Sequence, residues 1–129
     1  TTQGDLLVFT RQTDAALEGP VWRLVAAATG DGLVPVLPGA DVTARFASGG
    51  LMGSLGCNLY EATYSVADGF ALDGLRMAGD AECSDPLGVM AQEQTVRALL
   101  EAVTSYRVVG RELFLFGEDP DPLLVFYSE

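Results

Sequence analysis

Turn signals cut this chain into short pieces from about residue 20 onward. Gly30-Asp31-Gly32, Pro38-Gly39, Ser48-Gly49-Gly50, Asp68-Gly69 and Val109-Gly110 set turn-forming residues between apolar runs. The runs at 21–28, 41–47, 58–66, 70–75, 106–109, 112–116 and 123–127 read as strands. In 58–66, Tyr60, Ala62, Tyr64 and Val66 alternate with Leu59, Thr63 and Ser65, so one face is mainly apolar. Short strands at this spacing predict a mainly β domain, an antiparallel barrel or sandwich. A chain of 129 residues, 49% of them hydrophobic, fits one domain with a real core. Such a domain buries roughly two-thirds of its unfolded surface.

One stretch, about 86–105, reads as a helix. Met90, Val96, Leu99, Leu100 and Val103 recur at helical spacing and make an apolar stripe. Gln92, Glu93, Arg97 and Glu101 fall largely on the other side, and Glu93 and Arg97 are spaced as an i,i+4 ion pair worth about 0.2–0.5 kcal/mol. Ser84 or Asp85 can cap the helix, with Pro86 in its first turn. Gly88 weakens that turn and moves the expected start toward Val89. Upstream, Leu6-Leu7-Val8-Phe9 echoes Leu123-Leu124-Val125-Phe126. Residues 1–19 are therefore expected to hold a strand and linker, or the end of a preceding repeat. The domain proper is expected over 20–129.

Composition excludes several functions. The net charge is −11, and all seven basic residues are Arg, scattered from Arg11 to Arg111. Nucleic-acid binding needs a clustered basic patch, so no nucleic-acid partner is expected. Anionic membrane surfaces would repel the chain. There is no His, which removes Ser-His-Asp and Cys-His nucleophilic pairs and His-ligated metal sites. No run of 18 apolar residues exists to span a membrane. The chain opens at Thr1 without Met, as expected of a processed or trimmed product.

The order of motifs carries a resemblance. Trp22 precedes a Gly-rich turn and the run 42–46. Gly53 and Gly56-Cys57-Asn58-Leu59-Tyr60 follow, then Leu75-Arg76-Met77-Ala78 leading to Cys83, a helix, and a Gly110/Leu113/Leu115 hairpin. This order resembles the META domain family (HslJ-like) over about residues 20–127. Gly79-Asp80-Ala81-Glu82-Cys83 is longer than the usual Met-Ala-Cys, so a looped insertion is expected there. The resemblance implies antiparallel β structure curled around one helix. It also implies an exported, periplasmic or cell-envelope setting, sometimes with a lipid anchor on the full-length protein, and links to stress. Trp22, Gly53, Gly56, Cys57, Asn58 and Cys83 are then signature residues with structural roles. No enzyme activity, catalytic residue, metal or cofactor is expected. The partner would be another envelope protein or an apolar ligand. The alternative is a purely structural module of a larger or tandem protein.

Each remaining feature has a plain reading. Asn58 beside glycine is expected to satisfy local backbone groups rather than a ligand. Trp22 is expected in the core, where its indole N–H needs a partner. Glu118, Asp119 and Asp121 could ligate Ca²⁺, but lack the usual loop pattern and read as a solvated turn. Glu61, Asp68, Asp73, Asp80, Glu82 and Asp85 offer carboxylates for acid–base work, with nothing to bring two face to face. Met52, Leu55, Phe70, Met77, Met90 and Phe114 could line an apolar pocket, although most should be core. Cys57 and Cys83 can be bridged, buried as free thiols or, least expected at this spacing, a redox pair. A bridge is the expectation for two isolated cysteines in an exported domain. It would close a loop of about 25 residues and stabilise by roughly 3–4 kcal/mol. Thiol titration of the unreduced, denatured protein should detect no free thiol; two reactive thiols would remove the bridge from consideration.

Overall fold

The computed structural model describes residues 17–30, 32–66 and 70–128. The 4–10 echo and Asp68-Gly69 lie outside that set. Among the described residues nine strands and the helix 89–101 follow in order: β1 (Val21–Thr29), β2 (Gly32–Pro35), β3 (Thr43–Ala47), β4 (Gly50–Ser54), β5 (Leu59–Ser65) and β6 (Ala71–Met77). After a long loop come α1 (Val89–Glu101), β7 (Ser105–Val109), β8 (Glu112–Phe116) and β9 (Pro122–Tyr127).

All strand pairs are antiparallel and belong to one sheet, in the order β6-β5-β4-β3-β1-β9-β8-β7. β1 is the pivot. One of its edges pairs with β9, and the other is shared between β3 at Val21–Arg23 and β2 at Ala26–Thr29. The sheet is curled but not closed. Its outer strands, β6 and β7, approach where Phe70 N–H donates to the Thr104 carbonyl at 3.2 Å and the Phe70 and Tyr106 rings meet at 5.3 Å. The architecture is thus sandwich- or barrel-like with an open seam.

The alternation read in 58–66 holds: Tyr60 and Ala62 are buried while Leu59 and Thr63 face out. Inward residues from all the central strands join one core: Trp22, Leu24, Ala44, Phe46, Leu51, Tyr60, Leu113, Leu115, Leu124 and Phe126. From α1, Val96 and Leu100 complete it. The Trp22 indole finds its partner locally, donating to the Leu17 carbonyl at 3.0 Å. The Tyr60 hydroxyl donates to the Thr43 carbonyl at 2.8 Å. Burial pushes its phenol far above the ordinary value, so it stays a neutral donor.

Two strands escape the sequence reading. β2 (GLVP) is exposed throughout and has no apolar alternation. β4 (GLMGS) holds two glycines, which weaken a strand on propensity. Its glycine at 53 is nevertheless required. A Cβ there would lie 2.0 Å from the Thr43 carbonyl oxygen. The helix start also differs in cause. Gly88, at φ 91, is itself the boundary residue, and no side chain caps the helix. Only glycine takes that backbone angle without strain, so Ser84 and Asp85 are left outside the helix. Gly53→Ala must push β3 and β4 apart; a loss of about 3 kcal/mol is expected in urea unfolding, and an unchanged midpoint would refute the close approach.

Candidate functional site

The family-like signature folds into a latch between sheet and helix. Cys57 and Cys83 are bonded, with Cα atoms 5.9 Å apart. The bond ties the β4–β5 turn to the loop before α1. Gly56, at φ 112, turns the chain tightly beneath Val89. That turn presents the Cys57 and Asn58 amides to α1. The Glu93 carboxylate accepts both, at 3.3 and 2.8 Å, through Oε2. Its Oε1 accepts from Asn58 Nδ2 at 2.9 Å. The Asn58 amide also grips the loop: Oδ1 accepts from Ala81 N–H at 2.8 Å, and Nδ2 donates to the Ala81 carbonyl at 2.9 Å. The side chain thus pairs with a backbone as a neighbouring strand would.

Glu93 corrects the sequence reading. Its spacing put it on the solvent side with Arg97; instead it is buried, 5% exposed, and its partners are amides. Gln92 behaves likewise. It accepts from Leu37 N–H at 2.7 Å and donates to the Ala40 carbonyl at 3.0 Å. The polar side of α1 therefore clamps two loops. Three donors hold the Glu93 carboxylate, so it is a fastening group.

Beside the latch, the β1–β2 hairpin runs along α1 and leaves a groove. Leu24, Ala27, Val34, Val36, Leu37, Ala91, Thr95 and Val96 line a hollow of about 240 Å³. Past Thr29 the cleft opens into a wider recess between the hairpin tip, Leu99 and the β8–β9 turn, with Asp119 and Asp121 at its rim.

With this geometry, comparison with known proteins is decisive for family. A META domain model matches residues 15–129. The chain belongs to the META domain family. Two solved structures share its fold. An NMR structure of a protein from Burkholderia xenovorans has 22% identity and a TM-score of 0.71, covering 89% of this chain and 85% of that one. A second NMR structure has 17% identity and a TM-score of 0.54, covering 83% and 88%. No curated protein matches the chain. In this chain Gly53 permits the strand approach, Gly56 the turn, and Asn58 and the cysteines the latch.

The other candidate residues do not converge. Leu55 and Phe70 are core. Met52 is exposed on the outer face of β4, and Met77 and Met90 flank the latch. Phe114 stacks with Phe116. Glu61 is paired with Arg76 across β5 and β6. Asp73, Asp80, Glu82 and Asp85 are exposed and separate, and Asp68 lies outside the described residues. Glu118, Asp119 and Asp121 sit exposed in the β8–β9 turn. Among the described residues no three His, Cys, Asp or Glu side chains are placed to hold a metal ion. No helix among them is long and apolar enough to cross a membrane. Sequence reasoning missed Glu93 and Gln92, although their position inside a stripe of small and apolar helix residues was a usable signal.

Glu93→Gln keeps the shape but turns an NH₂ toward donors. It is expected to cost about 3 kcal/mol, because buried hydrogen bonds to a charged group are lost and a donor is left unmatched. Urea unfolding of the oxidised protein measures this. A loss under about 0.5 kcal/mol would show that the carboxylate does not fasten the turn.

Proposed function

We propose that this META domain is a non-catalytic binding module of an exported, envelope compartment, assisting other envelope proteins under stress. The carrying observation is the apolar groove between the β1–β2 hairpin and α1. The disulfide is compatible with an oxidising compartment, where such bonds persist. The fastening role of Glu93 and the separation of the exposed carboxylates support a role without catalysis.

The inner hollow of the groove is small, which favours insertion of a side chain there over enclosure of a whole ligand. Ligand pockets usually enclose about 300–1,000 Å³, and 240 Å³ suits an anchoring side chain or two. Val34 and Leu33, both nearly half exposed, extend the apolar wall. Strand addition to β2 is disfavoured. Val36 N–H bonds to the Val25 carbonyl, so alternation turns the groups of Leu33 and Pro35 outward. Pro35 has no N–H to offer, which blunts that edge. Side-chain insertion is the mode that fits. Asp119 and Asp121 at the far end, and a net charge of −11, favour a segment whose apolar anchors are flanked by Lys or Arg.

A synthetic peptide of alternating Leu and Lys should bind saturably in calorimetry, more weakly as salt rises. Ala91→Phe fills the groove from an exposed helix position and should cut affinity at least about tenfold, or 1.4 kcal/mol. Absence of binding, or equal binding by Ala91→Phe, would instead favour a purely structural module. Saturable uptake of phospholipid in place of peptide would reassign the groove to an apolar ligand.

A further inference from the structure

The outer face of the sheet changes character from one half to the other. On β3 and β5 its residues are mostly polar: Thr43, Arg45, Glu61 and Thr63. Such alternation is normal for an antiparallel sheet with one face in water. β8 and β9 break it. Leu113, Leu115, Leu124 and Phe126 are buried in the core, yet Phe114, Phe116, Val125 and Tyr127 on the other side are aromatic or aliphatic too. Strands apolar on both faces read as strands covered on both faces. The helix packs on the inner face, through Val96 and Leu100.

Register lays out two outward rows centred on β9. The first is Arg107, Phe114, Val125 and Ala26, on β7, β8, β9 and β1. Val25 joins it at the β1 bulge, with Pro35 of β2 beside Ala26. Asp41, just ahead of β3, ends the row: Leu24 N–H donates to the Val42 carbonyl at 2.8 Å, which sets Asp41 beside Val25. The second row is Val109, Glu112, Tyr127, Arg23 and Thr43. Phe116 widens the apolar area, stacked with Phe114 and capped by the Arg107 guanidinium at 5.6 Å. Val125 forms its floor, while Val25, Val109 and Tyr127 are 47%, 52% and 40% exposed.

Charge decides the occupant. The two rows hold Arg23, Arg107, Asp41 and Glu112, two of each sign, all exposed and none in an ion pair among the described residues. Arg45 and Arg111 lie beyond the rows, and Asp119 and Asp121 line the recess on the helix side. In a chain of net charge −11, a neutral face is where a second copy can approach. The order of the charges matters more than their sum. Arg107 and Asp41 stand two strands to either side of β9, and Glu112 and Arg23 stand one strand to either side. A two-fold axis along β9 therefore sets Arg107 over Asp41 of the second copy and Arg23 over its Glu112, each pair occurring twice. The same axis sets Phe114 over Val25, and Tyr127 over its own counterpart. An axis across the strands gives no such match.

We propose that this face joins two copies of the chain in a symmetric dimer, sheet against sheet with strands aligned. The face measures about 19 Å across five strands and about 20 Å along the six residues of β9. That is smaller than the roughly 800 Å² per partner of a standard interface, so the dimer is weak and concentration-dependent. It is separate from the hairpin–helix groove and stands whether or not that groove binds.

Sedimentation velocity of the oxidised protein tests the dimer. A monomer at about 10 μM and a dimer growing in toward about 1 mM are expected. Arg23→Glu and Glu112→Arg, both at exposed positions, should each weaken dimerisation at least about tenfold with the melting temperature held. The double variant should restore it, because the exchanged charges again oppose each other across the axis. Within one chain the two positions flank Tyr127, about 10 Å apart, so the rescue reads the contact between copies. Ala91→Phe should leave the dimer unchanged. A monomer at every concentration up to about 1 mM, a double variant no tighter than the single ones, or loss of the dimer in Ala91→Phe would overturn the proposal.

Discussion

The Glu93 carboxylate is the contact on which the rest of the molecule depends. A charge removed from water is tolerated only when donors surround it. Here the donors are the Cys57 and Asn58 amides and the Asn58 side chain. Meeting them sets the rotation of α1 about its axis. Val96 and Leu100 then point into the core, and Gln92 reaches the 37–40 loop. The same turn carries Cys57, so the disulfide reinforces an arrangement that hydrogen bonds already specify. With the bridge reduced, Asn58 would still hold Ala81 at two points.

The latch also explains how an unclosed sheet is stable. The helix packs against β1, β9 and β6, pinned at its start by the latch and connected at its end to β7. Among the described residues the β6 and β7 ends meet through Phe70, which bonds to Thr104 and packs on Tyr106. On the helix side the open sheet leaves an apolar groove with an acidic rim.

Much of this was legible in order and type. Strands 112–116 and 58–66 were read nearly to the residue, because alternation is a local pattern. The start near Val89 was read because Gly88 interrupts a helical stripe. Legibility failed where a residue's role depends on distant partners. β2 has no alternation, since both its faces are exposed and only pairing with β1 makes it a strand. β4 looked like a turn because it opens on the Ser48-Gly49-Gly50 turn and because Gly53 is needed by a neighbour remote in sequence, Thr43. Glu93 looked like half of a surface pair, since periodicity cannot tell solvent from a polar loop.

Composition and short-range pattern by themselves determined the mainly β class, a helix within about 86–105 and the absence of histidine chemistry; the order of motifs carried the META resemblance, and a Cys57–Cys83 bridge was the expectation for two isolated cysteines. Tertiary structure alone decided that the sheet stays open, that Glu93 is buried against the Cys57–Asn58 turn, and that the Arg residues, scattered along the chain, include three that share one face. Strand register across five strands sets that grouping, and register is a relation between segments that no single segment contains.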